Sequence, residues 1–169
     1  MGVDRSAARL SKPLYTAEQR ARRDATAWTA VQGVLAPLQF LAFLISLALV
    51  ARFLQTGQGQ EAATISILAK TILLYTIMIT GAVWEKAVFG RYLFADAFFW
   101  EDVFSMLVLS LHTAYLMALV SDSFDARAQM TIALAAYAAY VVNATQFLLK
   151  LRAARLQAAG VLTPLQAPA

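Results

Sequence analysis

Apolar residues in this chain run together for about the width of a bilayer and then stop at short polar breaks, rather than alternating with polar ones at strand or amphipathic-helix spacing. Four such runs stand out: Trp28 to Phe53, Ala62 to Val83, Val103 to Val120 and Met130 to Leu149. A membrane-crossing helix needs about 20 mostly apolar residues, so each run predicts one span. The breaks differ in character. TGQGQ, Thr56 to Gln60, is a flexible polar turn; WEKAVFGRYLFADAFFWED, Trp84 to Asp102, is longer and aromatic; SDSFDARAQ, Ser121 to Gln129, is acidic and polar. The pattern predicts an all-α fold, a four-helix transmembrane bundle over residues 28–156. A basic arm, 1–27, precedes it and a disordered tail, 157–169, follows.

Composition leaves no room for a separate soluble domain. Of 169 residues, 60% are hydrophobic and only 14% charged, with a mean hydropathy of +0.61. With no cysteine and one histidine, the chain cannot form a disulfide, a thiolate metal site, an iron–sulfur centre, a paired-histidine haem site or a c-type haem attachment. The net charge of +4 could suggest nucleic acid, but the cations gather at span boundaries and no recognition motif accompanies them.

Those cations set an orientation instead. With the N-terminus in the cytoplasm, Arg5, Arg9, Lys12, Arg20, Arg22, Arg23, Lys86, Arg91, Lys150, Arg152 and Arg155 lie inside, and Arg52 and Arg127 outside. That is eleven cations against two, which places both termini and the aromatic loop on the cytoplasmic side of the membrane. Within the arm, Thr16 and Gln19 are spaced as a capping box for a short helix. The first apolar run is too long for a signal-peptide core and lacks a small-residue cleavage site. Met1, Gly2 and Ser6 fit a myristoylation pattern, read as coincidence in a chain that already spans the membrane.

Ionisable groups inside a span are costly and turn toward a bundle interior or cavity, so each is a functional candidate. Lys70 and His112 are two of these. Glu101, Ser105, Val108 and His112 fall on one stripe of the third span, with His112 about 16 Å from Glu101 along the axis, so the two serve different jobs. A neutral histidine at that depth can ligate a metal or hydrogen-bond a neighbouring helix. Glu85, Glu101 and Asp102 converge at the cytoplasmic ends of the second and third spans, where repulsion and partial desolvation favour a shared proton; the alternative is a solvated loop paired with Lys86 and Arg91. Lys70 lies too deep to snorkel and requires an internal acceptor. Gln32 and Gln39 share a face of the first span, and Tyr137, Tyr140, Asn143 and Gln146 a side of the fourth, a pattern suited to joining helices. Pro37 is placed to kink the first span and open space for a flat ligand.

At WTAVQGVLAPLQFLAFLISL, WEKAVFGRYLFADAFFWEDVFSMLVLSLHTAYL and NATQFLLKLRAARL, the chain resembles the vinyl bacteriochlorophyllide hydratases of bacteriochlorophyll biosynthesis, from about Leu14 to Leu156. The resemblance implies a membrane-embedded hydro-lyase without a cofactor of its own, the magnesium belonging to the substrate. Such an enzyme adds water to the 3-vinyl group of chlorophyllide a or 3-vinyl bacteriochlorophyllide to give a 3-(1-hydroxyethyl) product. It hands over no residue roles. Hydration needs an acid, a base and an apolar pocket, and no redox centre. The residues suggest Glu101, Asp102 and Glu85 for proton transfer, His112 as axial ligand to the pigment magnesium, and Lys86, Arg91, Trp100 and Asn143 as further pigment contacts. The expected partners are the pigment and the lipid bilayer, with a second copy or neighbouring pigment-biosynthesis enzymes as further candidates. A pigment-binding or assembly protein without chemistry is the alternative; a small transporter ranks last, for want of an internal repeat or paired interrupted helices.

Overall fold

The computed structural model describes residues 14–121 and 123–162, with 157–162 as backbone only. Arg5, Arg9 and Lys12 of the arm, the Met1–Gly2–Ser6 pattern and residues 163–169 of the tail lie outside the described residues. The described fold is all-helical: α1 (Ala17–Ala25), α2 (Ala27–Thr56), α3 (Gln60–Phe89), α4 (Phe99–Ser121) and α5 (Ala126–Leu162). Helices α2 to α5 correspond to the four expected spans and are each long and apolar enough to cross a membrane. They overrun the apolar runs because polar residues at a membrane rim continue the backbone ladder at little cost. The last helix carries on to Leu162, so the first part of the segment expected as a disordered tail is helical.

Local chemistry explains where each helix begins and ends. The Thr16–Gln19 capping box forms as the spacing predicts, with Gln19 N donating to Thr16 Oγ1 (3.2 Å) and Thr16 N to Gln19 Oε1 (2.9 Å). Gly57 closes α2 and Gly90 closes α3, both in the left-handed region that a residue without Cβ adopts freely. Helix α2 passes through Pro37 without ending.

Paired contacts fix an antiparallel ring of helices. Trp84 donates to Thr29, and Gln32 to Thr80, joining α2 and α3. Lys70 meets His112 between α3 and α4, Asn143 meets Ser105 between α5 and α4, and Ser46 meets Tyr137 between α2 and α5. The start of α2, end of α3, start of α4 and the C-terminal part of α5 therefore share one end, here the basal end. The other is the distal end, where Arg127 donates to the Leu54 carbonyl. Helix α1 lies at the basal end, where Tyr15 stacks on Phe89 (5.8 Å between centroids).

The bundle buries its polar residues and exposes many apolar ones. Gln39, Ser46, Lys70, Thr71, Ser105, His112 and Asn143 face inward, whereas Ile72, Ile79, Met117 and Val120 face outward. A soluble protein would pay heavily for that arrangement; lipid around the outer faces makes it the stable one.

Candidate functional site

Three carboxyl groups meet at the basal end, each less than a tenth exposed. Glu85 comes from the last turns of α3, Glu101 and Asp102 from the first turn of α4 (5%, 6% and 4% exposed). The N-terminus of α4 favours negative charge at Glu101 and Asp102, while the C-terminal part of α3 disfavours it at Glu85. Glu85 and Asp102 lie close enough to interact with each other. Two carboxyls brought together out of water repel each other unless they share a proton, and that is the arrangement from which a proton donor can be made.

The loop between α3 and α4 supplies two donors to that pair. Phe94 N donates to Asp102 Oδ2 (2.6 Å) and Ala95 N to Glu85 Oε2 (3.3 Å). Phe94 achieves this at φ 58°, a left-handed conformation that a bulky residue adopts only under local compulsion. Consecutive N–H groups turned to one side by such a residue form an anion cradle, which is the use made of it here.

Glu101 has a different partner. Lys150 Nζ, from α5, donates to Glu101 Oε2 at 2.5 Å and also to the Ala97 carbonyl, above the Phe98 ring at 4.9 Å. That ion pair sets Glu101 apart from Glu85 and Asp102. Behind them Tyr15, Trp84, Phe89, Phe98 and Phe147 form an aromatic wall. Burial pushes the Tyr15 phenol above its ordinary value, with the Arg23 guanidinium opposing.

The other expected site residues distribute differently. Lys86 and Arg91 sit on the outer side of the loop: Lys86 donates to the Gly90 carbonyl (2.8 Å), and Arg91 reaches the Phe94 carbonyl (3.3 Å) and Asp96 (3.7 Å). The ion pair formed with the carboxylates is that of Lys150 with Glu101. Trp100 is 65% exposed and continues an outward aromatic shelf with Phe99 and Phe94. Asn143 is buried and donates to Ser105 Oγ (2.9 Å), one turn beyond the carboxylates.

His112 lies deeper, with no exposed surface, and both ring nitrogens are engaged. Nδ1 donates to the Val108 carbonyl (2.8 Å), which fixes the tautomer and leaves Nε2 to accept from Lys70 Nζ (3.0 Å). The lone pair expected to ligate pigment magnesium is thus occupied by Lys70. The same contact supplies the internal acceptor that Lys70 requires, and the ammonium also lies over the Tyr140 ring at 4.3 Å. Two shallow apolar grooves flank the distal half of α4 around Met117 and Ser121, and neither reaches the carboxylates.

Sequence reasoning brought the three carboxylates together and missed Lys150 and Phe94. Lys150 was countable only as a flanking charge, yet it extends the polar stripe Tyr137–Tyr140–Asn143–Gln146 by one turn. That spacing was the available signal. Phe94 offered none.

Four helices long and apolar enough to cross a membrane, with three buried carboxyl groups at one end and one of them ion-paired, define a multi-pass membrane protein. A family model described as 2-vinyl bacteriochlorophyllide hydratase matches residues 15–153, a range that takes in Glu85, Glu101, Asp102 and Lys150, and the chain belongs to that family. A protein of Rhodobacter capsulatus named 2-vinyl bacteriochlorophyllide hydratase is 73% identical over 148 residues, covering 88% of this chain and 86% of the relative. One of Cereibacter sphaeroides with the same name is 71% identical over 143 residues, covering 85% and 89%. No solved structure matches the chain.

Proposed function

We infer that the chain is a hydro-lyase of bacteriochlorophyll biosynthesis, adding water across the ring A vinyl group of a bacteriochlorophyllide-type pigment. The names of its relatives support the substrate. The observation that supports the chemistry is the meeting of the buried Glu85 and Asp102 carboxyls beside an ion-paired Glu101, an arrangement that favours one proton shared by the pair. The pair gives its proton to the terminal vinyl carbon, which becomes a methyl group. The cation left on the neighbouring carbon is delocalised into the macrocycle. Water attacks that carbon through oxygen, and its released proton passes to Glu101 and back to the pair. One water is added and the carboxyls end as they began. Positioned acid–base groups of this kind contribute roughly 10²–10⁴-fold each.

The macrocycle lies on the aromatic shelf of Phe94, Phe99 and Trp100, its propionate near Arg91 or Lys86, and the loop carrying Phe94 shifts to admit the vinyl group. His112 and Lys70 join α3 to α4, because a pigment on His112 would have to displace the ammonium from Nε2. Hydration transfers no electrons and so calls for no redox cofactor. The basal end faces the cytoplasm: among the described flanking residues Arg20, Arg22, Arg23, Lys86, Arg91, Lys150, Arg152 and Arg155 lie toward it, against Arg52 and Arg127 at the other.

The test is to incubate membranes containing the chain with vinyl pigment in ¹⁸O-labelled water. A hydratase yields product heavier by one labelled water and blue-shifted through loss of a conjugated double bond. Bound but unaltered pigment would instead support a binding or assembly role.

A further inference from the structure

One turn beneath the carboxylates, the bundle interior holds amide groups that the protein leaves unpaired. Gln39 is 2% exposed, and neither its Oε1 nor its Nε2 has a hydrogen-bond partner among the described residues. Asn143 donates to Ser105 but leaves Oδ1 unpaired, and Gln146 Oε1 is buried and unpaired as well. The antiparallel register of α2 and α5 brings Gln39 and Asn143 to one level, with Gln146 a turn away. Ser46 meets Tyr137 and Phe43 packs on Tyr140 (4.9 Å); one turn further along each helix come Gln39 and Asn143, and the next turn of α5 adds Gln146.

Amides that merely join helices pair across the interface; Asn143 does so through its amide nitrogen, but Gln39, the Asn143 Oδ1 and the Gln146 Oε1 do not. Leucine in place of Gln39 would cost the bundle nothing in lost hydrogen bonds, whereas an unpaired amide surrounded by hydrocarbon is costly. The layer therefore suits a small ligand that both donates and accepts. Three carbonyl oxygens repel an anion. A cation would enter a layer that holds no carboxylate to balance it. Water meets every requirement.

We propose that Gln39, Asn143 and Gln146 form a water site that supplies the nucleophile of the reaction. This rests on the hydratase reading. Ser105, bonded to Asn143, stands four residues from Glu101, about 6 Å along the helix, so water held here is one relay from the carboxylate that takes its proton. The water oxygen forms the new bond to carbon, one of its protons goes to Glu101, and the other stays in the alcohol.

Radiolytic hydroxyl-radical labelling in ¹⁸O-water, on the protein in nanodiscs, marks reactive side chains that touch bound water. Phe43 and Tyr140, both buried, border the layer and take up label in the wild type. In the double variant Gln39→Leu with Gln146→Leu, that labelling falls severalfold while thermal unfolding occurs at the same temperature or higher. Gln39→Leu alone lowers turnover at least tenfold with pigment affinity unchanged, and Gln39→Asn recovers part of it. Absent label in the wild type, or equal label in the double variant, overturns the site. Wild-type turnover in Gln39→Leu overturns its role as nucleophile source. Label in a wild-type protein that leaves vinyl pigment unaltered overturns the hydratase reading, and the nucleophile role with it, while the water site stands.

Discussion

Replacing Lys150 with methionine keeps most of the side chain's length and removes its charge, which isolates what the ammonium does for Glu101. Glu101 is almost wholly buried, its side chain 7% exposed, and Lys150 is 24% exposed. Breaking a fully buried pair by removing one partner costs about 3–5 kcal/mol. The partial exposure of Lys150 at a membrane rim lowers this, and the two bonds lost are each of the charge-assisted kind worth about 1.5–3 kcal/mol. A loss of about 2–3 kcal/mol follows for Lys150→Met. Glu101→Gln strands the ammonium less severely, because the amide oxygen still accepts. The double variant removes both charges, so its loss of stability is smaller than the sum of the two single losses by about 1–2 kcal/mol, measured by reversible unfolding in detergent. Activity does not follow stability: with no carboxylate at position 101, the double variant stays at least about 10²-fold slow. Lys150→Arg retains the charge and restores part of both. Strictly additive stabilities, or a double variant with wild-type turnover, would refute the pairing argument.

Three other changes probe the same arrangement. Asp102→Asn and Glu85→Gln each abolish the carboxyl pair's shared proton while keeping its shape, so each lowers hydration by about 10²-fold or more in single-turnover assays with pigment affinity retained; near wild-type rates in both would move the proton transfers elsewhere. His112→Phe takes from Lys70 its acceptor and destabilises the bundle by about 1–3 kcal/mol, yet pigment still binds; loss of pigment binding at unchanged stability would restore the ligand reading of His112. Reporter fusions after Leu156 and within Gly90–Phe98 report from the cytoplasm, and a periplasmic signal from either would reverse the proposed orientation.

How legible each feature was depends on how far its cause reaches along the chain. The spans are local: bilayer length and hydrophobicity demand them wherever the residues stand. The inward faces are harder, because the outward faces are apolar too, and only scattered polar residues such as Gln39, Lys70, His112 and Asn143 distinguish the two. Those residues could be noticed singly. That Lys70 would meet His112 depends on the stagger of α3 against α4, which the aromatic loop sets and no local pattern encodes. Lys150 reaches Glu101 across 49 positions of sequence for the same reason. The backbone at Phe94 is the extreme case, since its left-handed conformation is imposed by the carboxyl it serves and runs against the preference of the residue itself.

The division between rim and centre has a chemical reason. A macrocyclic substrate dissolves in lipid, a proton donor must be recharged, and water is consumed in each turnover. Only a membrane surface offers all three together. The start of α4 suits such a place: its free N–H groups favour negative charge on the carboxyls beside them, and the loop against it carries exposed aromatic residues. The same chemistry placed at Lys70 and His112 would have to conduct both water and protons through the apolar side chains of Val108 and Leu74. A carboxyl cluster at one rim with polar amides a single turn inside it shortens that route to one helical turn, and it leaves the deep ion–imidazole contact free to hold two helices together.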